Sequence, residues 1–204
     1  VFRGLGARVV ALEPQPLFFE YLRRHYAGDA DVTLHRVACG REIATAELTV
    51  PPRNPTLATL SSRWVADIDR VYADRHISWD NRIEVEVVTL DALIAEHGMP
   101  TFIKIDVEGH DHEVLAGLSH PVPALSFEYL PASRASALAC LAELRRLGTY
   151  RFTYSRVETM REAATGLLDE QQMRAVLQAM DDRDRSGDVY AVLVERETGS
   201  GGGQ

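Results

Sequence analysis

The sequence predicts a single α/β domain built on a largely parallel sheet. Short apolar runs alternate along the chain with amphipathic helical segments, a pattern typical of βαβ units. Three of the apolar runs end in a carboxylate. The chain has 204 residues, of which 46% are hydrophobic and 25% charged. This length and composition are sufficient for one domain with its own hydrophobic core.

The composition also restricts the partners. The net charge of −8 argues against nucleic acid, because phosphate binding needs a basic surface. No apolar run approaches the ~20 residues of a membrane span, and no signal peptide is visible, so we expect a cytoplasmic protein without a membrane partner. Cys39 and Cys140 form no metal pattern. We expect two buried thiols rather than a disulfide.

The first part of the chain predicts two strands around a helix. Residues 8–13 (RVVALE) form an apolar run that ends in an acid. Residues 16–27 carry apolar side chains at helical spacing, with Pro16 suited to the first turn. Residues 31–39 predict a second strand, which ends at Gly40.

The middle of the chain predicts two paired strands and two helices. Residues 82–88 alternate strictly between polar and apolar and should pair with a short strand upstream. In order, we predict a strand at 46–50, a polar loop at 53–62, a helix at 64–72, a strand at 82–88, and a helix that Thr89 caps and that runs to His97.

Residues 101–113 (TFIKIDVEGHDHE) carry the densest chemistry. Their apolar start predicts a buried strand of a parallel sheet, and residues 113–118 predict a short helix. Downstream we predict strands at 122–128, 150–154 and 188–195, and helices at 133–147 and 169–180. One of the last two strands could be an antiparallel edge strand. Residues 1–196 would form the domain, followed by a disordered glycine-rich tail at 197–204.

The strands predicted to end at Glu13, Asp106 and Glu128 each finish in an acid. A parallel sheet gathers such ends along one edge, where open α/β sheets bind ligands. Glu13 could accept both hydroxyls of a ribose or be a solvated acid before a turn. Asp106 could hold a cofactor or orient a substrate hydroxyl, or cap a helix. Glu128 could be functional or an ordinary surface acid.

Asp106 and Glu108 are separated by one residue and should repel each other unless a cation lies nearby, for which Lys104 is the candidate. Glu108 would face the substrate or cap the next helix. His110 is a possible general base. The run from His110 to Glu113 contains metal-ligand residue types, but positions i and i+2 of a helix point apart, so we predict no metal ligand. Asp188 should be structural.

Six segments in this order resemble the FkbM family of S-adenosylmethionine-dependent methyltransferases. They are VVALEPQPLFFEYL, VTLHRVACG, VEVVTLDAL, FIKIDVEGHDHEVLAGL, LSFEYLP and GDVYAVL. The resemblance implies a Rossmann-like class I methyltransferase sheet, S-adenosylmethionine as cofactor, and O-methylation of a hydroxyl on a sugar or other small metabolite.

The resemblance also implies roles for individual residues. Glu13 would bind the cofactor's ribose, and Val37 and Ala38 would lie against its adenine. Asp106 would lie near both the methionine part and the acceptor. Glu108, His110 and Glu128 would line the acceptor side. Asp106 and His110 are the candidates for removing the acceptor's proton.

The chain departs from the family at its start. Such methyltransferases begin with a strand and a glycine-rich turn that approaches the cofactor, whereas Gly4 and Gly6 lie too close to the first predicted strand to serve. We therefore expect a sheet that lacks its first strand, an N-terminally truncated piece with open edges and weak cofactor binding. The alternatives are a non-catalytic relative that acts as a binding module and, less consistent with the D-x-E-G segment, a nicotinamide-dependent oxidoreductase.

Overall fold

The computed structural model describes residues 1–157, 163 and 166–194. It is an α/β structure with nine strands and six α-helices in the described part of the chain. The strands are β1 (Val9–Leu12), β2 (Val32–His35), β3 (Ala38–Cys39), β4 (Ala44–Thr49), β5 (Arg82–Val88), β6 (Ile103–Ile105), β7 (Ala124–Tyr129), β8 (Tyr150–Tyr154) and β9 (Gly187–Leu193). The helices are α1 (Pro16–His25), α2 (Ser62–Val71), α3 (Leu90–His97), α4 (Asp111–Ala116), α5 (Arg134–Leu147) and α6 (Glu170–Ala179).

The strands form three sheets, with the orders β1-β2, β3-β5-β4 and β6-β7-β9-β8. The pairs β1–β2, β3–β5 and β6–β7 are parallel. The pairs β4–β5, β7–β9 and β8–β9 are antiparallel. The predicted pairing of the two middle strands is therefore confirmed, but the expectation of a mostly parallel sheet is wrong, because the sheets are mixed.

An antiparallel edge strand was also predicted among the last two strands. The strand that runs antiparallel to its neighbours, β9, instead lies inside its sheet. β9 lies between β7 and β8. Its side chains at Val189 and Ala191 have no exposed surface, because this face of the strand packs in the main core and other strands lie on both sides. Of the last two strands, β8 is the one at an edge of this sheet.

The single strand predicted at residues 31–39 is divided into β2 and β3, which belong to different sheets. The His35 carbonyl accepts a hydrogen bond from the N–H of Glu13, whereas the N–H of Gly40 donates to Val88 at the end of β5. The two halves of the apolar run thus bond to different neighbours. Helix α2 starts two residues earlier than predicted, because the Ser61 side chain caps it by accepting from the N–H of Trp64.

The main hydrophobic core lies between the β6-β7-β9-β8 sheet and helices α4, α5 and α6. Its centre includes Phe127, Leu141 and Met173, none of which has exposed surface. The two cysteines are buried and free, as predicted. Burial raises the pKa of the Cys39 thiol to about 12, and it raises the pKa of the Cys140 thiol as well.

Two predictions near the C-terminus fall outside the described residues. These are the glycine-rich tail at 197–204 and the end of the last strand at Glu195. In the described part of the chain, no helix has the length and apolar character needed to cross a bilayer.

Candidate functional site

Three carboxylates meet where β6 and β7 end. The parallel register pairs Ile105 with Phe127, so Asp106, directly after β6, lies beside Glu128, the residue before the last in β7. Glu108 joins them from the loop after β6. Carboxylate oxygens of Asp106, Glu108 and Glu128 lie within 4.8 Å of one another. We call these three residues the acidic cluster. The sequence prediction that strand-end acids converge is confirmed for Asp106 and Glu128.

The loop that carries Glu108 has an unusual backbone. Glu108 has φ 51° and Gly109 has φ 79°, so two consecutive residues are in the left-handed region. A Cβ atom at Gly109 would lie 2.3 Å from Cδ1 of Trp64. The Thr59 hydroxyl donates to the Glu108 carbonyl at 2.7 Å, and the Ser136 hydroxyl donates to the Gly109 carbonyl at 3.0 Å. These contacts fix the strained loop and thereby the position of the Glu108 carboxylate.

The surroundings of the acidic cluster favour protonated carboxyl groups. Burial, followed by the charges of Asp106 and Asp111, raises the pKa of Glu108. Burial, followed by the charge of Glu108, raises the pKa of Glu128. Like charges this close cannot all ionise without a strong penalty. Glu108 and Glu128 therefore release their protons at a higher pH than isolated carboxylates do.

Lys104 supplies the positive charge beside the cluster, as predicted. Its Nζ lies 3.2 Å from Oδ2 of Asp106 and 2.8 Å from Oδ1 of Asp188. Burial lowers the pKa of Lys104, but the hydrogen bond to Asp188 and the charge of Asp106 outweigh this effect and raise it. Asp188, expected to be structural only, faces Glu128 across the β7–β9 pair. The sequence carried no signal for this, because the neighbour depends on strand pairing.

Asp111 is an unexpected part of this region. It begins α4 with 1% of its surface exposed, and among the described residues neither carboxylate oxygen has a hydrogen-bond partner. Burial raises its pKa to about 7, although the nearby backbone N–H groups of Asp111, Glu128 and Gly109 lower it. These N–H groups act on the Asp111 carboxylate as dipoles at a distance, and none of them completes a hydrogen bond with it. A buried acid with this pKa adds to the charge that the acidic cluster experiences.

His110 occupies the N-cap position of α4, and its side chain makes no capping hydrogen bond. Its Nε2 would be 3.6 Å from a Cβ atom at Gly40. Burial lowers its pKa, while the charge of Glu113 raises it and those of His112 and Arg41 lower it. Glu113 is itself bound by Arg41, with Nε 2.7 Å from Oε2. The imidazole is thus neutral near pH 7 and can accept a proton, but its charged neighbours are Glu113, His112 and Arg41 rather than the acidic cluster.

The predicted cofactor residues are not part of the acidic cluster. Glu13 follows β1 and is partly buried; its Oε1 accepts a hydrogen bond of 2.7 Å from the N–H of Gln15. Burial raises its pKa, and that hydrogen bond lowers it. Ala38 is 7% exposed, and in the β3-β5-β4 sheet it pairs with Val87 of β5. Val37, between β2 and β3, remains partly exposed.

One cleft of the described residues includes none of these groups in its lining. It has a volume of about 730 Å³ and lies between the end of α5, strand β8 and the start of α6. A small cavity of about 10 Å³ lies next to Glu128, and Trp64 and Ser136 also line it. A space of this size holds at most one water molecule. The acidic cluster is open to solvent at Asp106, whose side chain is 48% exposed.

Two groups of described side chains have the donor geometry of a metal site. One is the acidic cluster. The other consists of His35, Glu96 and His97, whose donor atoms also lie within 4.8 Å of one another. Neither group was recognisable from the sequence as a set of metal ligands, because the residues of each group come from elements far apart in the chain.

The comparison with protein families assigns the chain. The profile of the Methyltransferase FkbM domain matches residues 1–159. The chain belongs to the FkbM methyltransferase domain family. This confirms the resemblance seen in the sequence and identifies the protein as a methyltransferase family member. No curated protein matches the chain. The FkbM match includes Glu13, the acidic cluster and His110, whereas Asp188 lies beyond the matched residues.

Proposed function

We propose that this FkbM domain transfers a methyl group from S-adenosylmethionine to a hydroxyl oxygen of a sugar or another small metabolite. The observation that carries the proposal is the acidic cluster at the ends of β6 and β7, within a domain of a methyltransferase family. Bound S-adenosylmethionine supplies a methyl group that its sulfonium already activates. The protein has to align the acceptor oxygen and take its proton.

Glu108 is the carboxylate best suited to take that proton. A base is most effective when its pKa lies near the working pH, and burial together with Asp106 and Asp111 raises the pKa of Glu108 towards that range. The strained, hydrogen-bonded loop holds it in place. Asp106, more exposed and paired with Lys104, would orient the acceptor. His110, neutral near pH 7, is the second candidate base.

The residues present fit part of the cofactor. The partly buried Glu13 carboxylate at the end of β1 would accept ribose hydroxyls, and Val37 offers exposed apolar surface for adenine. In the proposed class I arrangement, a further strand would lie between β1 and β6. In the described residues β1 pairs only with β2, and β6 only with β7, which leaves one edge of each strand for it.

Calorimetric titration with S-adenosylhomocysteine tests the cofactor assignment. We expect measurable binding to this chain. Glu13→Gln should weaken the binding, and Glu47→Gln, which changes a surface carboxylate that Arg82 engages, should leave it unchanged. Absence of binding heat would reject the enzyme and favour the non-catalytic binding module.

Transfer of a labelled methyl group to a panel of sugars and small alcohols tests the base. We expect Glu108→Gln to lower kcat by about 10²-fold or more while affinity for S-adenosylhomocysteine stays unchanged. An undiminished kcat would reject Glu108, and a loss on His110→Gln instead would assign the proton to the imidazole.

A further inference from the structure

Two histidines and a glutamate meet on the side of the molecule formed by β2 and α3. Nε2 of His35 lies 2.9 Å from Nε2 of His97. Oε1 of Glu96 lies 3.4 Å from the same His97 nitrogen, and all three donor atoms are within 4.8 Å of one another. The methyltransferase chemistry proposed above makes no use of these residues.

The fold brings the three side chains together from distant parts of the chain. His35 is the last residue of β2 and His97 is the last residue of α3, 62 positions later. Only 19% of the His97 side chain is exposed, whereas 62% of the Glu96 side chain is. The imidazoles therefore have few alternative positions, and the glutamate can swing towards them from solvent.

A cation bound by these three residues would experience one favourable and one unfavourable electrostatic effect. The C-terminal end of a helix carries partial negative charge, and it stabilises cations in its last turn, where Glu96 and His97 lie. Arg8 is the opposing charge, but its Nη2 donates to the His97 carbonyl at 2.8 Å. The guanidinium is thus held by the backbone and makes this contact away from the ring nitrogen.

In the structure, one imidazole can donate a hydrogen bond to the other, which requires one ring to carry its proton on Nε2. The same two nitrogens can instead both present lone pairs, with the protons on Nδ1. Zinc–nitrogen bonds of about 2.0–2.1 Å in a tetrahedral site place two ligand nitrogens roughly 3.3 Å apart. The rings, inclined by 62°, need to part by only a few tenths of an ångström and turn towards a common ion.

We propose that His35, His97 and Glu96 form a binding site for Zn²⁺. Two neutral imidazoles and one carboxylate are ligands that this ion takes in proteins, and three protein ligands leave a fourth position for water. The ion would tie β2 to α3. It would thereby hold the β1–β2 pair, with Glu13 at the end of β1, against the rest of the domain.

Titration of the intact chain with Co²⁺, followed by its visible absorption, and with Zn²⁺ by calorimetry tests the site. We expect one ion per chain. The double variant His35→Gln and His97→Gln should lose this binding. Glu96→Gln should weaken it by about tenfold or more, since removal of a direct ligand costs at least as much as loss of a partner behind a ligand. His120→Gln, at an exposed histidine outside the site, should bind as the unchanged protein does.

Thermal unfolding with and without Zn²⁺ provides the second measurement. An ion bound only to the folded state raises the melting temperature, so we expect a rise for the unchanged protein and for His120→Gln, and none for the double variant. Glu96 is exposed, so Glu96→Gln should fold normally and report affinity alone. Absence of binding by the unchanged protein, or equal affinity in the double variant or in Glu96→Gln, would overturn the proposal.

Discussion

The β6-β7-β9-β8 sheet and the β1–β2 pair differ sharply in how firmly they are packed. The four-stranded sheet and its helices contain the fully buried side chains of the main core. In contrast, α1, which connects β1 to β2, has no buried residue, and the four residues of β1 are all only partly buried. Leu12 is the contact of β1 with the main core.

This difference divides the proposed site into two parts. The acidic cluster, at the ends of β6 and β7, is carried by the well-packed sheet and by a loop that two side-chain hydrogen bonds hold. Glu13 is carried by the weakly packed pair. The acceptor side should therefore be rigid and the ribose side adaptable. Four pairs of substitutions, one member in each region, test this contrast.

The largest difference should come from removing an aromatic ring in each region. Phe127→Ala in β7 creates a cavity at a site with no exposed surface and should lower the free energy of unfolding by about 3–5 kcal/mol. Phe19→Ala in α1, at a partly buried position, should cost about 1 kcal/mol. Urea denaturation measures both. Equal losses would show that the β1–β2 layer is as tightly packed as the other sheet.

Two glycines with positive φ separate backbone strain from steric clash. Gly109→Ala would bring a methyl group against the Trp64 ring and should cost about 2–4 kcal/mol. Gly28→Ala, after α1, has φ +84° but open space around it, so only the strain of about 1 kcal/mol remains. If Trp64→Leu does not recover part of the loss in Gly109→Ala, as judged by urea denaturation, the clash is not its cause.

The two regions should also differ in pH dependence. Burial raises the folded-state pKa of Glu128 above its ordinary 4.5, so folding favours the protonated carboxyl. The contribution of the Glu128 carboxyl to the free energy of unfolding is therefore fully present below pH ~4.5. It is lost as the pH rises towards the folded-state pKa. Glu128→Gln cannot ionise, and it should be more stable than the unchanged protein by on the order of 2 kcal/mol at pH 9, with no gain at pH 4.

Glu13→Gln is the matched change in the β1–β2 pair. Burial also raises the pKa of Glu13, but the N–H of Gln15 opposes the shift. The sign of the pH effect is therefore the same and its size smaller. Melting temperatures measured from pH 4 to pH 9 compare the two variants with the unchanged protein. Parallel curves for the unchanged protein and Glu128→Gln would mean that the acidic cluster is solvated.

The smallest effect should come from single hydroxyl groups. Thr59 is 1% exposed, donates to the Glu108 carbonyl and accepts from the N–H of Ser61. Thr59→Val should therefore cost about 1 kcal/mol and lower kcat through the displaced loop. Thr33→Val, at an exposed position of β2, should change neither. A normal kcat in Thr59→Val, measured with the methyl-transfer assay, would show that this hydrogen bond does not position Glu108.

Local sequence patterns predicted most elements of this fold but not how they pair. The apolar run before Asp106 is a strand, and the residues after Gly109 form a helix, because these patterns depend only on near neighbours. The position of β9 inside its sheet could not be predicted, since an apolar strand of that length suits an edge or an interior position equally well.

The same limit applies to the site. The acids at the ends of β6 and β7 were predicted from the general rule for parallel strands, and Lys104 from its distance along one strand. Thr59 lay in a polar loop without a recognisable pattern, and Asp188 lay at the start of another strand. Both reach the acidic cluster through tertiary contacts, for which a single sequence contains no signal.

The two buried thiols can report chemically on local unfolding, one from a strand and the other from a helix. A thiol reagent reacts with the thiolate, which the raised pKa values of Cys39 and Cys140 keep scarce. Alkylation of the folded protein should thus be slow at both positions and should proceed only when the surrounding structure opens. Since Cys39 is in β3 and Cys140 is in α5, the rate at each position measures how often its own neighbourhood unfolds.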